Sequence, residues 1–524
     1  MARFGLVSPD GPSATDAAPS GLFADYDLGG FYDEVFEAEN KVRPHYAPLL
    51  AGLDRFSPED LVRRGRIRDA AFRSQGITFT VYDEGEGIER TFPMDLLPRI
   101  VPADEWSHIE EGLIQRVTAL NSFLDDLYVG ERAAIHDGII PTWLVETSDG
   151  FNREAFGIPV PLGARCLVAG VDLVRDGEGT YRVLEDNLRN PSGVSYVIEN
   201  RVAMTRVLPT VFANQQIRSV DHYGRSLLNA LNRVAPPASG DQPTVVVLTP
   251  GVFNSAYFEH VFLASQMGVE LVEGRDLVVD DHVVSMRTTQ GLQRVDVIYR
   301  RIDDAFLDPV VFRSDSTLGV PGLMAAARAG NVTIANAVGN GVADDKAVYA
   351  YVPDLIRYYL GEEPILPNVE TYLLWDEDQR AAVLDRLDEL VIKPVAEAGG
   401  YGIVIGPAAS DAELEACRAN IEADPRNYIA QEVVSLSRHP SLVDDHIEGR
   451  HIDLRPFVLS GGEIEVIPGG LTRVAMQRGS LVVNSSQGGG SKDTWVLAKG
   501  VELVVETDPE AAADAPAEAV EELG

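Results

Sequence analysis

The chain has little cysteine, a shortage of positive charge and no long apolar run. Only Cys166 and Cys417 occur, far apart and outside any CxxC pattern, so neither a disulfide framework nor a cysteine-rich zinc site can be built. No apolar stretch approaches the ~18 residues of a membrane span, and residues 1–30 lack the basic start and apolar core of a signal peptide. The expected compartment is therefore the cytoplasm, with no membrane partner. Lys and Arg number 44 against 81 Asp and Glu, a formal charge of −37. Residues 501–524 hold eight acids and no base, too few to account for that excess. A surface this negative repels nucleic acid, and no concentrated basic patch argues otherwise. Hydrolase motifs are missing too: there is no GxSxG elbow, no HExxH and no Cys-His nucleophile context.

What is present is 45% apolar residues over 524 positions, enough for about three domains. Residues 1–28, rich in Pro, Gly, Ser and Ala, read as a disordered leader, and 498–524 as an acidic tail. Trp106, Ile109, Leu113, Val117, Leu120 and Leu124 recur at three and four, predicting a helix over 103–128. The run QPTVVVLTP, a following helical segment and the strands VELVEG and VDVIYRR predict a doubly wound β-α-β domain over 241–345. The Pro-rich link 234–243 separates it from a helical and hairpin-bearing unit at 29–236. In the remaining unit, 346–497, helices are expected at 346–360 and 378–389, and strands at 390–393, 402–405 and 428–432.

The segment GVDLVRDGEGTYRVLEDN (170–187) reads as a hairpin turning at DGEG. With the turn centred between residues 178 and 179, Asp172 faces Glu185 at about 5 Å. Alternation places Asn187 on the Glu185 face and Asp186 on the other. Two carboxylates and an amide oxygen then converge, the all-oxygen set that Mg²⁺ takes together with substrate phosphates. A surface hairpin with scattered acids would show the same spacing.

A second segment, LDELVIKPVAEAGGYGIVIGP, ends a strand in Lys393 and loops through Gly399, Gly400, Tyr401 and Gly402 into another strand. A lysine beside a glycine loop supplies a point charge and N–H donors to phosphates. It is neither a Walker A loop nor a GxGxxG turn. Lys346 starts a helix after Asp-Asp, and Gln431 with Glu432 ends the strand YIAQE, where they could meet an adenine edge and a ribose.

Together these residues resemble the ATP-grasp superfamily. The resemblance assigns Lys346, Lys393, Gly399, Gly400, Tyr401, Gly402, Gln431, Glu432 and Asn484 to ATP, and Asp172, Glu185 and Asn187 to Mg²⁺, with two ions implied. The metal hairpin precedes the nucleotide segment, an inverted order. The chain thus resembles the circularly permuted type 2 group related to glutathionylspermidine synthase, through TPGVFNSAYFEH, VIYRRIDDAFLDP, EDNLRNPSGVSYVIENR and NSSQGGGSKDTWVL. The implied fold is α/β (α+β), a permuted ATP-grasp with an inserted pre-ATP-grasp-like domain. The implied activity is ligation of a carboxylate, amino-acid or peptide-like, to an amine, with release of ADP and phosphate. A kinase or a non-catalytic nucleotide-binding partner would fit the same motifs. The resemblance also implies alpha-E and transglutaminase-like proteins as partners.

ATP-grasp ligases commonly carry an arginine two residues before the metal-binding Asp; here Gly170 stands there. Arg455, Arg165 and Arg478 are the candidate replacements. Asn254, Ser255 and His260, near the start of a helix, and Arg300 with Arg301, at the end of a strand, are candidate substrate contacts. Capping for Asn254 or Ser255 and an ion pair between Arg301 and Asp303 or Asp304 are the plainer roles. His439, His446 and His451 fit no zinc spacing.

Overall fold

A computed structural model describes residues 21–499, apart from 40, 84–85, 398–399, 481–482 and 484–488. The helix Ala103–Tyr128 lies where its period placed it, with all six predicted apolar positions fully buried. It runs behind a four-stranded antiparallel sheet ordered Glu463–Val466, Phe457–Gly461, Val168–Arg175 and Tyr181–Asn187. Arg116, on the same helix, crosses to Asp186 with Nε and Nη2 donating at 2.7 and 2.6 Å. That bidentate pair turns Asp186 away from Glu185, as alternation predicts.

The expected unit 346–497 does not stand apart. Phe457–Gly461 is buried on both faces and needs neighbours on both edges; it takes its place between Glu463–Val466 and Val168–Arg175. Gly490–Val496, also buried throughout, pairs parallel with Met94–Val101, joining segments nearly 400 residues apart. Among the described residues of this span, Arg438–Val443 pairs with His446–His451 in a hairpin, and Thr371–Leu373, Leu390–Pro394, Val404–Ile405 and Tyr428–Glu432 form a sheet of their own, backed by the helices Glu377–Leu384 and Asp411–Ala423. Its apolar core, with Leu374, Leu390, Ile392, Ile421 and Ala430, is distinct from the main ones.

The doubly wound domain is present as Val245–Leu248, Glu270–Val272, Val297–Arg300 and Thr333–Ala335, all parallel. An unforeseen meander, Leu277–Asp280, Val283–Thr288 and Gly291–Arg294, interrupts it. Two helices end earlier than expected. The 346–360 helix is split into Lys346–Tyr349 and Val352–Leu360, where Pro353 sits in the first turn of a new helix. The 378–389 helix stops at Leu384 and resumes as a short 3₁₀ turn. Packing also begins before residue 29: Phe23 is buried against Phe36, and the Tyr26 hydroxyl donates to Asp33 at 2.5 Å. Residues 1–20 and 500–524 lie outside the described residues. Among the described residues no helix is long and apolar enough to cross a membrane.

Candidate active site

The hairpin pairs Asp172 with Glu185 and Gly170 with Asn187. Its route there differs from the symmetric turn expected. Arg175 pairs with Tyr181, so the turn centres on residue 178, and a bulge at Leu184 then restores the Asp172–Glu185 register. The bulge lets consecutive residues Leu184 and Glu185 both line one cleft.

Asp172 is fully buried at the floor of the site. The Arg455 guanidinium grips it with Nε on Oδ1 at 2.5 Å and Nη2 on Oδ2 at 2.7 Å, while Arg473 Nη2 donates to Oδ2 at 2.6 Å. Burial alone would raise this carboxyl, yet the two guanidiniums hold it well below the usual range. Arg455 can occupy this position because residue 170 is glycine. A Cβ there would lie 3.0 Å from Pro191 Cβ and 3.3 Å from Arg455 Cδ, so the arginine stem fills the space a side chain would take. Arg473, which no motif singled out, also binds Asp453 and lines the cleft.

The cleft encloses about 180 Å³ between the small sheet and the hairpin. Val391, Ile403, Ile405, Val434 and Leu436 make it apolar at one end, and Lys393, Glu185, Asp453 and Arg473 make it charged at the other. Gln431 and Glu432 border it. The Gln431 Oε1 is buried without a partner, whereas the Glu432 carboxylate is engaged by Tyr372 at 2.7 Å and Arg386 at 3.2 Å. Lys393 is buried, and its ammonium makes no hydrogen bond or ion pair with a described residue. Burial pushes its ammonium down to about 8, against the pull of Glu185 and Asp172 and with Lys346 adding repulsion. Lys346 Nζ stands 3.8 Å from Glu185 and donates to the Glu397 carbonyl at 2.6 Å. Asp344 holds this segment against the 168–187 hairpin by accepting the Leu188 N–H at 2.6 Å. Gly400 and Gly402 both have positive φ, and Tyr401 between them is exposed. Gly399 and Asn484 lie outside the described residues.

The residues present suit Mg²⁺. Glu185 has Lys346 and Arg455 at 3.8 Å, beyond hydrogen-bond reach. The Asn187 amide nitrogen is buried without a partner, so this amide is committed to no described residue through that atom. Asp172 Oδ1 accepts one bond, from Arg455, which leaves it a lone pair. Two carboxylates and an amide are the hard oxygen donors such an ion takes.

Other candidates lie elsewhere. Arg165 is buried over the Tyr128 ring with Nη1 on the Ile158 carbonyl, apart from Asp172, and Arg478 is exposed. Arg300 spends its donors on the carbonyls of Asn336, Ile302 and Ala337 and pairs with Asp304 at 2.6 Å, so it clamps the parallel strands together rather than a substrate. Arg301 is equally engaged, with Glu259, Ser192, Pro191 and Tyr299. His260 Nδ1 lies 2.9 Å from Thr249 Oγ1, and burial holds the imidazole neutral, far below its ordinary value. Asn254 closes a turn by accepting the Ala256 N–H, with Ser255 half-buried beside it. His446 pairs with Val443 near the tip of a hairpin and His451 with Arg438 at its base, which separates the histidines.

Residues 98–475 match the family described as circularly permuted ATP-grasp type 2. The chain belongs to that family. An uncharacterised protein of Synechocystis sp. is 57% identical over 473 residues, 90% of this chain and 98% of its own length. A Frankia alni protein, whose name proposes a glutamate–cysteine ligase, is 48% identical over 92% of this chain but only 56% of its own length. The fold is shared with a glutathione synthetase-like effector of Globodera pallida, at a TM-score of 0.51 and 11% identity, over 84% of this chain and 98% of the other. The permuted ATP-grasp order explains how the hairpin at 168–187, early in the chain, faces the lysine strand at 390–394.

Proposed function

We propose that this protein is an ATP- and Mg²⁺-dependent ligase that joins an amino-acid or peptide-like carboxylate to an amine through an acylphosphate, with release of ADP and phosphate. The observation that carries the reading is the unpaired, buried Lys393 ammonium, set between an apolar slot and the Asp172–Glu185 carboxylates. A buried charge without a partner is costly, so this cleft is built for an anion that reaches in alongside a flat apolar group. Among common substrates, a nucleoside triphosphate has that shape. Membership of the ATP-grasp family and the name of the Frankia relative point the same way.

In this reading the apolar end, with Gln431 and Glu432, holds the nucleoside. Lys393 and Lys346 oppose the phosphate charge, and Asp172, Glu185 and Asn187 hold the metal. Bound there, Mg²⁺ would neutralise the β- and γ-phosphate oxygens and align them for in-line displacement. The substrate carboxylate oxygen bonds to the γ-phosphorus as the bond to the bridging oxygen breaks, and ADP leaves. The amine nitrogen then attacks the acyl carbon, phosphate departs with the C–O electrons, and the nitrogen gives up a proton. Arg455 and Arg473 supply fixed positive charge beside the transferring group. No nucleophilic side chain is required.

The test is phosphorus NMR of wild type and Glu185→Gln with Mg²⁺, ATP and a dialysable cell extract. Wild type is expected to yield ADP and free phosphate only when extract is added, and the variant neither. Turnover retained in Glu185→Gln would refute the metal assignment. A new phosphoester signal would replace the ligase with a kinase.

A further inference from the structure

Among the described residues the doubly wound domain contributes none to the lining of the cleft, yet two of its buried charged side chains reach the turn that touches Arg455. Arg301 follows the strand Val297–Arg300, and Glu259 lies on the helix Tyr257–Met267; both are almost wholly buried. Between them they hold the turn 191–195, which follows the metal hairpin. Arg301 Nη1 donates to the Pro191 carbonyl at 2.9 Å, and Nη2 donates to Ser192 Oγ at 2.5 Å and to Glu259 Oε1 at 3.2 Å. Glu259 Oε2 accepts the backbone N–H groups of Gly193 and Ser195 at 2.7 and 3.1 Å, and the Ser195 hydroxyl at 2.9 Å. The Ser192 carbonyl, fixed in this way, accepts from Arg455 Nη1 at 3.3 Å. Nε and Nη2 of that same guanidinium grip Asp172.

Gly193 adds a steric lock. Its φ is +118°, and a Cβ there would lie 2.8 Å from Leu471 Cδ2. Leu471 in turn exchanges backbone hydrogen bonds with Arg455 in both directions at 2.9 Å. The turn, the Arg455 backbone and the Arg455 head are thus set as one piece. A buried Arg–Glu pair is a poor way to gain stability when an apolar pair of similar volume would serve as well. A planar fork that reaches a carbonyl, a hydroxyl and a carboxylate at once is instead a device for fixing direction.

We propose that Arg301 and Glu259 are positioning residues that aim Arg455 at the transferring phosphoryl group, so that the inserted domain sets the rate of the phosphoryl step. The rate statement rests on the ligase reading; the aiming of Arg455 does not. The experiment compares wild type, Arg301→Lys and Ser192→Ala by steady-state ATP consumption with Mg²⁺ and the same dialysable cell extract, and by the Arg455 side-chain Nε–Hε resonance in arginine-labelled protein, identified by its loss in Arg455→Lys. Lysine keeps the charge but cannot make the three contacts. The expected result is a fall in kcat of about 10- to 100-fold, the range typical when an outer partner that orients a metal ligand is removed, with KM for ATP unchanged and the Arg455 resonance shifted or broadened. Ser192→Ala, which removes one acceptor and no charge, is expected to move both readouts in the same direction, and it decides the matter if Arg301→Lys does not fold. An unmoved Arg455 resonance in the folded variants overturns the proposal. If wild type consumes no ATP, the ligase reading fails, and the resonance still decides whether the clamp aims Arg455.

Discussion

Lysine is the scarce residue of this protein: five occur, against 39 arginines. Lys41 and Lys499 are exposed, Lys492 is locked in the core to Asp95 at 3.0 Å, and the remaining two, Lys346 and Lys393, meet at the cleft. Where a planar fork serves, the chain uses arginine; the compact ammonium is kept where a phosphate would need a point charge. This has a pH consequence. Burial lowers Lys393 to about 8, so below that value both the folded and the unfolded chain hold its proton, and between there and its ordinary value only the unfolded chain does. Its contribution to stability therefore rises with pH across that window, while affinity for an anionic nucleotide falls. Calorimetric titration with ADP is expected to show up to about tenfold weaker binding one unit above the transition, and Lys393→Met should abolish that dependence. Equal pH dependence in the variant would remove Lys393 from the phosphate site. The pairing of Asp172 with Glu185 and the strand position of Lys393 are legible because each lies in a local pattern. Arg473 was not: it lies in the short strand Thr472–Val474, and its partners Asp172 and Asp453 arrive by long-range pairing.

Among the elements, the hairpin at 168–187 shows how a correct pairing can follow from an incomplete picture. Strand alternation and a turn signal put Asp172 opposite Glu185, but the bulge that achieves it, and brings Leu184 into the cleft, has no signature in the residues. Thr333–Ala335 is too short to announce itself, whereas the helix at 103–128 is readable from its period and the other three of the four parallel strands from their apolar runs. The fate of the last third was not, because FVLSG reads the same in any buried strand, and only the pairing partner says which sheet it joins. Gly170 was read as a missing arginine; its neighbours show that the absence makes room for Arg455. Gly170→Val should therefore displace the Arg455 stem at a cost of about 1–3 kcal/mol, typical of overpacking. ATP turnover should fall much further than thermal stability accounts for. Thermal scans beside turnover at a temperature well below unfolding would check this, and undiminished turnover would mean Arg455 does not work from this position.

Across the whole molecule, the cleft lies between two bodies of unequal cohesion. The sheet bearing Asp172 is tied into cores that run from the N-terminal region to Val496, through strands paired across most of the chain. The small sheet bearing Lys393 and Gln431 has a modest core of its own on one side, while Leu373, Val395 and Ile429 join the main core. Polar and aromatic ties include Arg426 on the Leu144 carbonyl, Thr147 and Asp345 at 2.8 to 3.0 Å, the edge contact of Trp143 with Trp375, and the Lys346 N–H on the Val395 carbonyl at 3.2 Å. A lobe with a small core opens at lower free energy than the body it rests on. Amides of Leu390–Pro394 and Tyr428–Glu432 should therefore exchange with deuterium faster than those of Val168–Arg175 and Phe457–Gly461 in the free protein. A ligand bridging both bodies must leave before the lobe can open, so ADP at 100 times its Kd should slow the small-sheet amides by about 100-fold. The central strands, which already exchange through global opening, should gain protection only up to the same added free energy. Hydrogen-exchange mass spectrometry resolves these peptides. Protection that rises in the central sheet while the small sheet stays unchanged would place the nucleotide elsewhere, because a ligand seated on Lys393 and Gln431 cannot stabilise the body without holding the lobe closed.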